Sequence, residues 1–494
     1  KKPPLIYWLG KASYESFGIS LFSGRIIGVF FAALLTVASS LIAWCLFRDR
    51  KVMLFAGLVI LGSIGIMIDG RRLMLDIPVA ALSALAILLL LYWFNYGRAV
   101  YMIGSGAFLG LAFLVKGPVA FFFYFSALMA LLVAAPGVRS FFRHSWPAAL
   151  TGLLTFFIIA MPWFIFVYLK YPDLLARTFA SEVAERELLR FSLSPVFSLL
   201  LMALPWSPVA VAIILRNQPQ LAEVASSLKE HFNIKKFLIL LLINSILPFF
   251  FFKSFSRYLY GCMIPLSLLV SLLMFEKNRL AEYRIWLRTG AGLSLFVGGM
   301  LVFFLIWFRG WQPLLIAPLL FMLAFALCWW GARNLITMAT MSILFWLGII
   351  SMVYPVFGIN RIPNGVVEKV KGEYVVLFAG PQPAMLPIVA GVGMRDTSFL
   401  STIPVEKRDS CKGILIFSPT KHFITARKQL DKLNHDWTEL GHYRVLSSRG
   451  SWLRISHEDA TSEDWKQAFI NRDLDSLGTD IILVRSTAKQ CLKS

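Results

Sequence analysis

Long apolar runs dominate this chain and restrict it to the folds that a lipid bilayer permits. A membrane-spanning helix needs about 20 apolar residues. Runs close to that length occur at 21–47, 52–69, 77–95, 100–115, 118–135, 147–168, 196–215, 236–252, 258–275, 289–308, 312–330 and 335–354. Hydrophobic residues make up 58% of the chain and charged residues 15%, which is outside the usual range of soluble domains. The sequence therefore predicts an α-helical polytopic membrane protein with about 12 spans, some of them broken by Gly and Pro.

The composition changes near residue 355. We predict a membrane domain at 1–355 and a small water-soluble domain at 356–494, in which the β-type runs "EYVVLFAG", "GILIFSP" and "IILVRS" surround the helical stretch "FITARKQLDKL". This pattern favours an α/β or α+β unit. Two cysteines, Cys411 and Cys491, fall in this domain. They are either a disulfide, if the domain faces an oxidising compartment, or two unrelated thiols.

Two loops carry ionisable residues directly beside apolar spans. In "DGRRLMLDIPVAAL", Asp76 enters the span that begins at residue 77, where a charge is costly unless it is paired or lines a cavity. Asp76 is thus a functional carboxylate, or an interface residue bonded to Arg71 or Arg72. In "FLVKGPVAFFF", Lys116 precedes a Gly-Pro break that frees backbone donors, which suits a phosphate. The alternative is a lysine that marks a short loop.

Two further loops carry clustered charges. The longest loop between spans holds Glu182, Arg186 and Arg190, which form either an ordinary solvated helix surface or a lid over a cavity. In "FFFFKSFSRYLYGC", Arg257 and Tyr258 place a guanidinium and a hydroxyl together, a combination that clamps phosphates. The alternative there is an aromatic and basic anchor at the membrane interface.

When loops are assigned to alternate sides, these four fall on the same face. A basic outer face opposes the usual distribution of Lys and Arg, and an anionic substrate would explain it. The chain lacks the "GxxxxGKS/T" pattern of a nucleotide-binding loop, so ATP is not indicated as the energy source. A lipid-linked anionic donor fits this arrangement, and we predict no nucleic-acid partner.

The chain resembles the polyprenyl-phosphate-sugar glycosyltransferases of the GT-C class. It is most similar to the lipid A aminoarabinose transferases and to bacterial relatives of the protein O-mannosyltransferases. The resemblance is carried, in the family's order, by "KPPLIYW", "RRLMLDIPVAAL", "GLAFLVKGPVAF", "MPWF", "ALPWSP" and "SFSRYLYGCMIPL". It implies a thirteen-span protein, of which a first helix with an acidic motif would precede the "KPP" segment. It further implies a bacterial inner-membrane enzyme with its active site and C-terminal domain in the periplasm.

The resemblance also implies a reaction and a set of site residues. The reaction is an inverting transfer of a sugar from a polyprenyl phosphate to a lipid, glycan or protein acceptor, as in lipid A modification. Asp76 would be an active-site carboxylate, and the donor phosphate would meet Lys2, Lys116, Arg257 and Tyr258. A cover loop would contain Glu182, Arg186 and Arg190. Lys1 and Val183 stand where relatives carry metal-binding residues, so the resemblance assigns no metal ligand in this sequence. A divalent metal stays open at this stage, and no other cofactor is indicated.

Two other functions remain open at this stage. A transporter or flippase for lipid-linked sugars would also have about a dozen spans and a charged cavity. Transporters commonly show paired halves with matching broken helices, and the sequence shows no such pairing. A non-catalytic relative that only binds lipid-linked sugars is the third hypothesis.

Overall fold

The structure is a computed structural model that describes residues 3–135, 137–173, 191–216, 232–275, 280–331, 334–363, 365–379, 386–446, 456–457 and 459–489. The chain divides into two compact units. The first unit takes in Lys1–Gly18, Phe22–Met300 and Ile316–Ser351. The second takes in Ile19–Leu21, Leu301–Leu315 and Met352–Ser494.

Helices account for almost all of the regular structure before residue 357. They are α1 (Leu5–Phe17), α2 (Leu21–Phe47), α3 (Arg50–Leu61), α4 (Ile64–Asp69), α5 (Asp76–Tyr96), α6 (Ala99–Lys116), α7 (Val119–Ala134), α8 (Val138–His144), α9 (Trp146–Lys170), α10 (Ser194–Met202), α11 (Ser207–Leu215), α12 (Ile234–Ile246), α13 (Met263–Ser271), α14 (Leu280–Arg309), α15 (Ile316–Gly331) and α16 (Leu335–Gly348). Shorter 3₁₀ segments include Leu247–Phe250, Ser256–Cys262 and Tyr354–Phe357.

Eight helices in the described part of the chain are long and apolar enough to cross a membrane, or up to ten if each of two bent helix pairs counts as one span. The protein is therefore a multi-pass membrane protein. Four predicted spans contain no single helix of 18 residues: those at 118–135 and 196–215 correspond to the two bent helix pairs, and those at 52–69 and 236–252 are divided in other ways. The run at 52–69 is divided into α3 and α4 at Gly62 and Ser63, and the run at 236–252 is α12 followed by the 3₁₀ segment Leu247–Phe250. Gly and Pro break these runs because they weaken or remove helical hydrogen bonding.

Helices α5 and α6 form an antiparallel hairpin. The hairpin turns at Gly97, which has a left-handed backbone with φ of 72°. The Ser105 hydroxyl on α6 donates a hydrogen bond of 2.8 Å to the Ala86 carbonyl on α5. On its other side α6 meets α9, where a Cβ atom built on Gly106 would lie 1.9 Å from the Gly152 carbonyl oxygen. Small residues permit this close backbone approach, which is a common basis of helix packing in membranes.

We expect Gly106→Ala to destabilise the protein and Gly292→Ala to stabilise it slightly. The added methyl at Gly106 meets backbone, which cannot give way without moving α9, so we expect a loss of about 1–3 kcal/mol in the free energy of unfolding. At Gly292 in α14 the new methyl has open space, so the helix-propensity gain of about 0.5–1 kcal/mol should appear alone. Unfolding in mixed detergent micelles measures both values, and equal effects at the two positions would contradict the close contact.

A five-stranded mixed sheet forms the centre of the second unit. Its order is β2 (Met394–Thr397), β1 (Val375–Phe378), β3 (Ile414–Pro419), β5 (Thr479–Ala488) and β4 (His435–Val445). β1 is parallel to β2 and β3, whereas β5 is antiparallel to β3 and β4. Helices α17 (Val366–Val370), α18 (Leu386–Ala390), α19 (Val405–Arg408), α20 (Thr420–Lys432) and α21 (Ser462–Asn471) accompany it. β1 and β3 are fully buried because apolar residues cover both faces of the sheet.

The end of α14 belongs to this second unit. The Trp307 ring stacks on Phe469 of α21 with centroids 4.6 Å apart, and its indole Nε1 donates a 2.8 Å hydrogen bond to the Phe469 carbonyl. Arg309 donates two hydrogen bonds to Asp475, of 2.7 and 2.8 Å. Stacking and a bidentate ion pair thus hold the sheet domain to the end of a membrane helix.

Candidate functional site

Asp76 and Lys116 meet at one end of the α5–α6 hairpin. Asp76 is the first residue of α5 and Lys116 is the last residue of α6, so an antiparallel pair of helices brings them to the same end. Each sits where the helix dipole favours its charge, an anion at an N-terminus and a cation at a C-terminus. The Lys116 ammonium donates a hydrogen bond to Asp76 Oδ1. Both side chains are only 6% exposed, so this is a buried ion pair.

The 3₁₀ segment Ser256–Cys262 brings a second cation to the same carboxylate and an aromatic ring to the Lys116 ammonium. Arg257 Nε lies 3.6 Å from Asp76 Oδ2, and the Arg257 side chain is 24% exposed. The Lys116 ammonium lies 3.5 Å from the centroid of the Tyr258 ring. Two cations therefore share one carboxylate, and the four groups together carry a formal charge of +1.

A second buried carboxylate lies beside this cluster. Asp69, at the end of α4, is 5% exposed. The Tyr260 hydroxyl donates a 2.8 Å hydrogen bond to Asp69 Oδ2, and Arg72 Nη1 lies 3.1 Å from Asp69 Oδ1. Asp69 also interacts electrostatically with Asp76 and Arg257. The two tyrosines of the 3₁₀ segment, which are two residues apart, thus each contact a buried charged group: Tyr258 contacts Lys116 and Tyr260 contacts Asp69.

The structure brings together four of the predicted site residues, namely Asp76, Lys116, Arg257 and Tyr258. The Asp69 and Tyr260 pair was not predicted. The only signal for this pair in the sequence is the spacing of two tyrosines in "SRYLYGC". That spacing alone does not indicate which residue Tyr260 contacts. Lys2 and the cover-loop residues Glu182, Arg186 and Arg190 lie outside the described residues.

Chemically, the cluster offers two cations and a proton acceptor. Lys116 and Arg257 present donors that suit a phosphate, and the partial exposure of Arg257 marks the accessible side. Asp76 can accept a proton. Within the described ranges, no group of three or more His, Cys, Asp or Glu side chains is arranged to hold a metal ion.

The chain has relatives among membrane glycosyltransferases. The sequence model of the family described as dolichyl-phosphate-mannose-protein mannosyltransferase matches residues 1–166, a range that includes Asp69, Asp76 and Lys116. The undecaprenyl phosphate-alpha-4-amino-4-deoxy-L-arabinose arabinosyl transferase of Yersinia enterocolitica is 26% identical over 288 residues, covering 55% of this chain and 49% of that protein. An uncharacterized protein of Aquifex aeolicus is 27% identical over 175 residues, covering 35% of this chain and 37% of that protein. The chain thus spans about half or less of the length of these curated relatives.

The fold is shared with a solved structure. ArnT from Cupriavidus metallidurans, in the apo state and bound to undecaprenyl phosphate, superposes with a TM-score of 0.65 at 15% sequence identity. The superposition covers 98% of this chain and 87% of ArnT. This likeness confirms the predicted fold class, a GT-C-like helical membrane region followed by a small sheet domain.

Proposed function

We propose that this protein is an integral-membrane, inverting glycosyltransferase that moves a sugar from a polyprenyl-phosphate donor to a lipid, glycan or protein acceptor. The carrying observation is the shared carboxylate: Lys116 and Arg257 both lie against Asp76 in a largely buried site. The similarity to an arabinosyl transferase with an undecaprenyl-phosphate donor supports the same class of donor.

Burial of these charges is the reason to assign them a function. Removing two charges from water is expensive, and a well-packed apolar pair is often as stable as a buried ion pair. Ionisable residues inside a membrane protein therefore usually mark a functional site. A cluster with more cations than anions is poised to accept a negatively charged group.

Each residue has a role in the proposed reaction. The acceptor attacks the anomeric carbon, the bond from that carbon to the phosphate oxygen breaks, and the polyprenyl phosphate leaves with the bonding electrons. Lys116 and Arg257 stabilise the charge that grows on the phosphate, and Tyr258 holds Lys116 in place through its ring face. Asp76 takes the proton of a hydroxyl acceptor. Lys2 would add a further phosphate contact, and the loop with Glu182, Arg186 and Arg190 would cover the bound donor.

We further propose that the protein lies in the bacterial inner membrane, with a membrane domain at 1–355 and a C-terminal domain at 356–494 that faces the periplasm with the active site. Cys411 is disulfide-bonded, which supports an oxidising compartment for that domain. Cys491, the other cysteine of that domain, lies outside the described residues.

Reconstitution with a labelled donor tests this function. The purified protein is placed in liposomes with polyprenyl phosphates carrying different radiolabelled sugars and with a membrane extract as acceptor. We expect label to leave the carrier for a product of opposite anomeric configuration. Label that crosses the bilayer on an intact donor would reject the transferase and establish lipid transport instead.

A further inference from the structure

A cationic cavity lies in the second unit. Its volume is about 390 Å³, and three arginines, Arg309, Arg361 and Arg444, line it with a single carboxylate, Asp475. The rest of the lining is largely apolar and includes Ile362 and Leu446. This cavity therefore combines positively charged side chains with an apolar wall.

Two of the three arginines are already neutralised. Arg309 is bound to Asp475, and Arg444 Nε lies 2.7 Å from Asp480 Oδ1. Hydrogen bonds from these arginines hold the pKa of Asp475 and of Asp480 below the usual range, so both carboxylates are ionised at neutral pH. Arg361 is exposed and forms no ion pair with any described residue. Among the described residues, Arg361 is thus the guanidinium of this cavity that has no carboxylate against it at neutral pH.

Hydrogen bonds hold the backbone turn around Arg361 in place. Gly358 and Asn360 both have left-handed φ values, of 71° and 60°. The Asn360 amide donates a 2.7 Å hydrogen bond to the Leu446 carbonyl at the end of β4, and Arg309 Nη2 donates a 3.1 Å hydrogen bond to the Phe357 carbonyl. The turn that carries Arg361 is therefore held on both sides.

The cavity lies where two candidate membrane spans end. Arg309 is the last residue of the span Leu280–Arg309. The cavity residues Val356 and Gly358 flank Phe357, the last residue of the span Leu335–Phe357. Spans of this kind end at the level of the lipid headgroups. A ligand that matched this place would bring an anionic group to Arg361 and an apolar part to the apolar wall.

We infer that this cavity binds the phosphate headgroup of an anionic membrane lipid through Arg361. The inference does not depend on glycosyl transfer. Arg361 contributes charge-assisted hydrogen bonds to the phosphate oxygens, and the apolar wall contacts the glycerol and the upper acyl chains.

Hydrogen-exchange mass spectrometry of the full chain tests the site and locates it. The protein is placed in dodecyl maltoside micelles that contain phosphatidylglycerol or phosphatidylcholine at equal mole fraction, and a third sample contains inorganic phosphate without added lipid. We expect phosphatidylglycerol to slow exchange at the amides of residues 356–362. Arg361→Gln should raise the phosphatidylglycerol needed for half-protection about tenfold. The matched control Arg427→Gln removes an equal charge from an exposed position on α20 and should not change the protection of residues 356–362.

Three outcomes would overturn the inference. Equal protection by phosphatidylcholine would show that the anionic headgroup is not recognised. Unaltered protection in Arg361→Gln would show that this guanidinium does not hold the ligand. Full protection by inorganic phosphate alone would make the cavity a site for soluble phosphate rather than lipid.

Discussion

Replacing Lys116 with Gln is expected to lower the rate of sugar transfer by about 10²–10³, the usual cost of removing one preorganised donor from a developing negative charge. Glutamine keeps much of the length and hydrogen-bonding capacity of the side chain but lacks the charge. The loss should therefore appear mainly in kcat, because the charge on the phosphate grows as the bond to the sugar breaks. The measurement is the initial rate of label transfer from the polyprenyl donor in liposomes.

Two further variants are controls for the expected loss of activity in Lys116→Gln. Lys116→Arg keeps the positive charge and should retain more activity than Lys116→Gln. Lys51→Gln makes the same chemical change at an exposed position in the first turn of α3 and should leave the rate unchanged. Equal, near-normal rates for Lys116→Gln and Lys51→Gln would remove Lys116 from the proposed chemistry.

Replacing Asp76 with Asn is expected to cost about 3–5 kcal/mol of stability, because it leaves the buried Lys116 ammonium without its counter-charge. The double variant Asp76→Asn/Lys116→Gln removes both charges and should recover most of that stability while remaining inactive. The free energy of unfolding in mixed detergent micelles, measured for the wild type, both single variants and the double variant, gives the coupling energy directly.

This double-mutant cycle distinguishes an effect on the stability of the folded protein from an effect on sugar transfer. An inactive but stable double variant shows that the charges are kept for the reaction. A coupling energy near zero would mean that Asp76 and Lys116 do not interact in the folded protein, contrary to their contact. A double variant with normal transfer would contradict the roles proposed for both residues.

Sequence patterns point to the separate residues of the candidate site but not to their arrangement. Asp76 and Lys116 each stand out as charges beside apolar runs, and their meeting follows from a hairpin of two helices of 21 and 18 residues. Arg257 stands out in the sequence through its neighbours in the chain, yet its position against Asp76 depends on long-range helix packing. The hydrogen bond between Tyr260 and Asp69 joins residues 191 positions apart. No local pattern encodes such a contact.

The count of spans shows the same limit. Apolar length alone predicted a span at 52–69, but it could not show that Gly62 and Ser63 divide the run into two helices. At this break the Ser63 amide donates a 3.2 Å hydrogen bond to the nearby Ile60 carbonyl. The Ile64 amide donates a 3.1 Å hydrogen bond to the distant Leu204 carbonyl. A distant segment thus satisfies a backbone group that the break releases, and hydropathy carries no information about such a partner.

The stacking of Trp307 on Phe469 has a consequence for how the chain matures during synthesis. The two residues are 162 positions apart, and ribosomes add about 5–20 residues per second. Roughly ten to thirty seconds therefore pass between the synthesis of Trp307 and the synthesis of Phe469, which it contacts. During that interval the Trp307 indole ring and the Arg309 guanidinium lack these contacts, so the nascent protein passes through a stage in which both side chains are more accessible than in the finished molecule, where each is partly exposed.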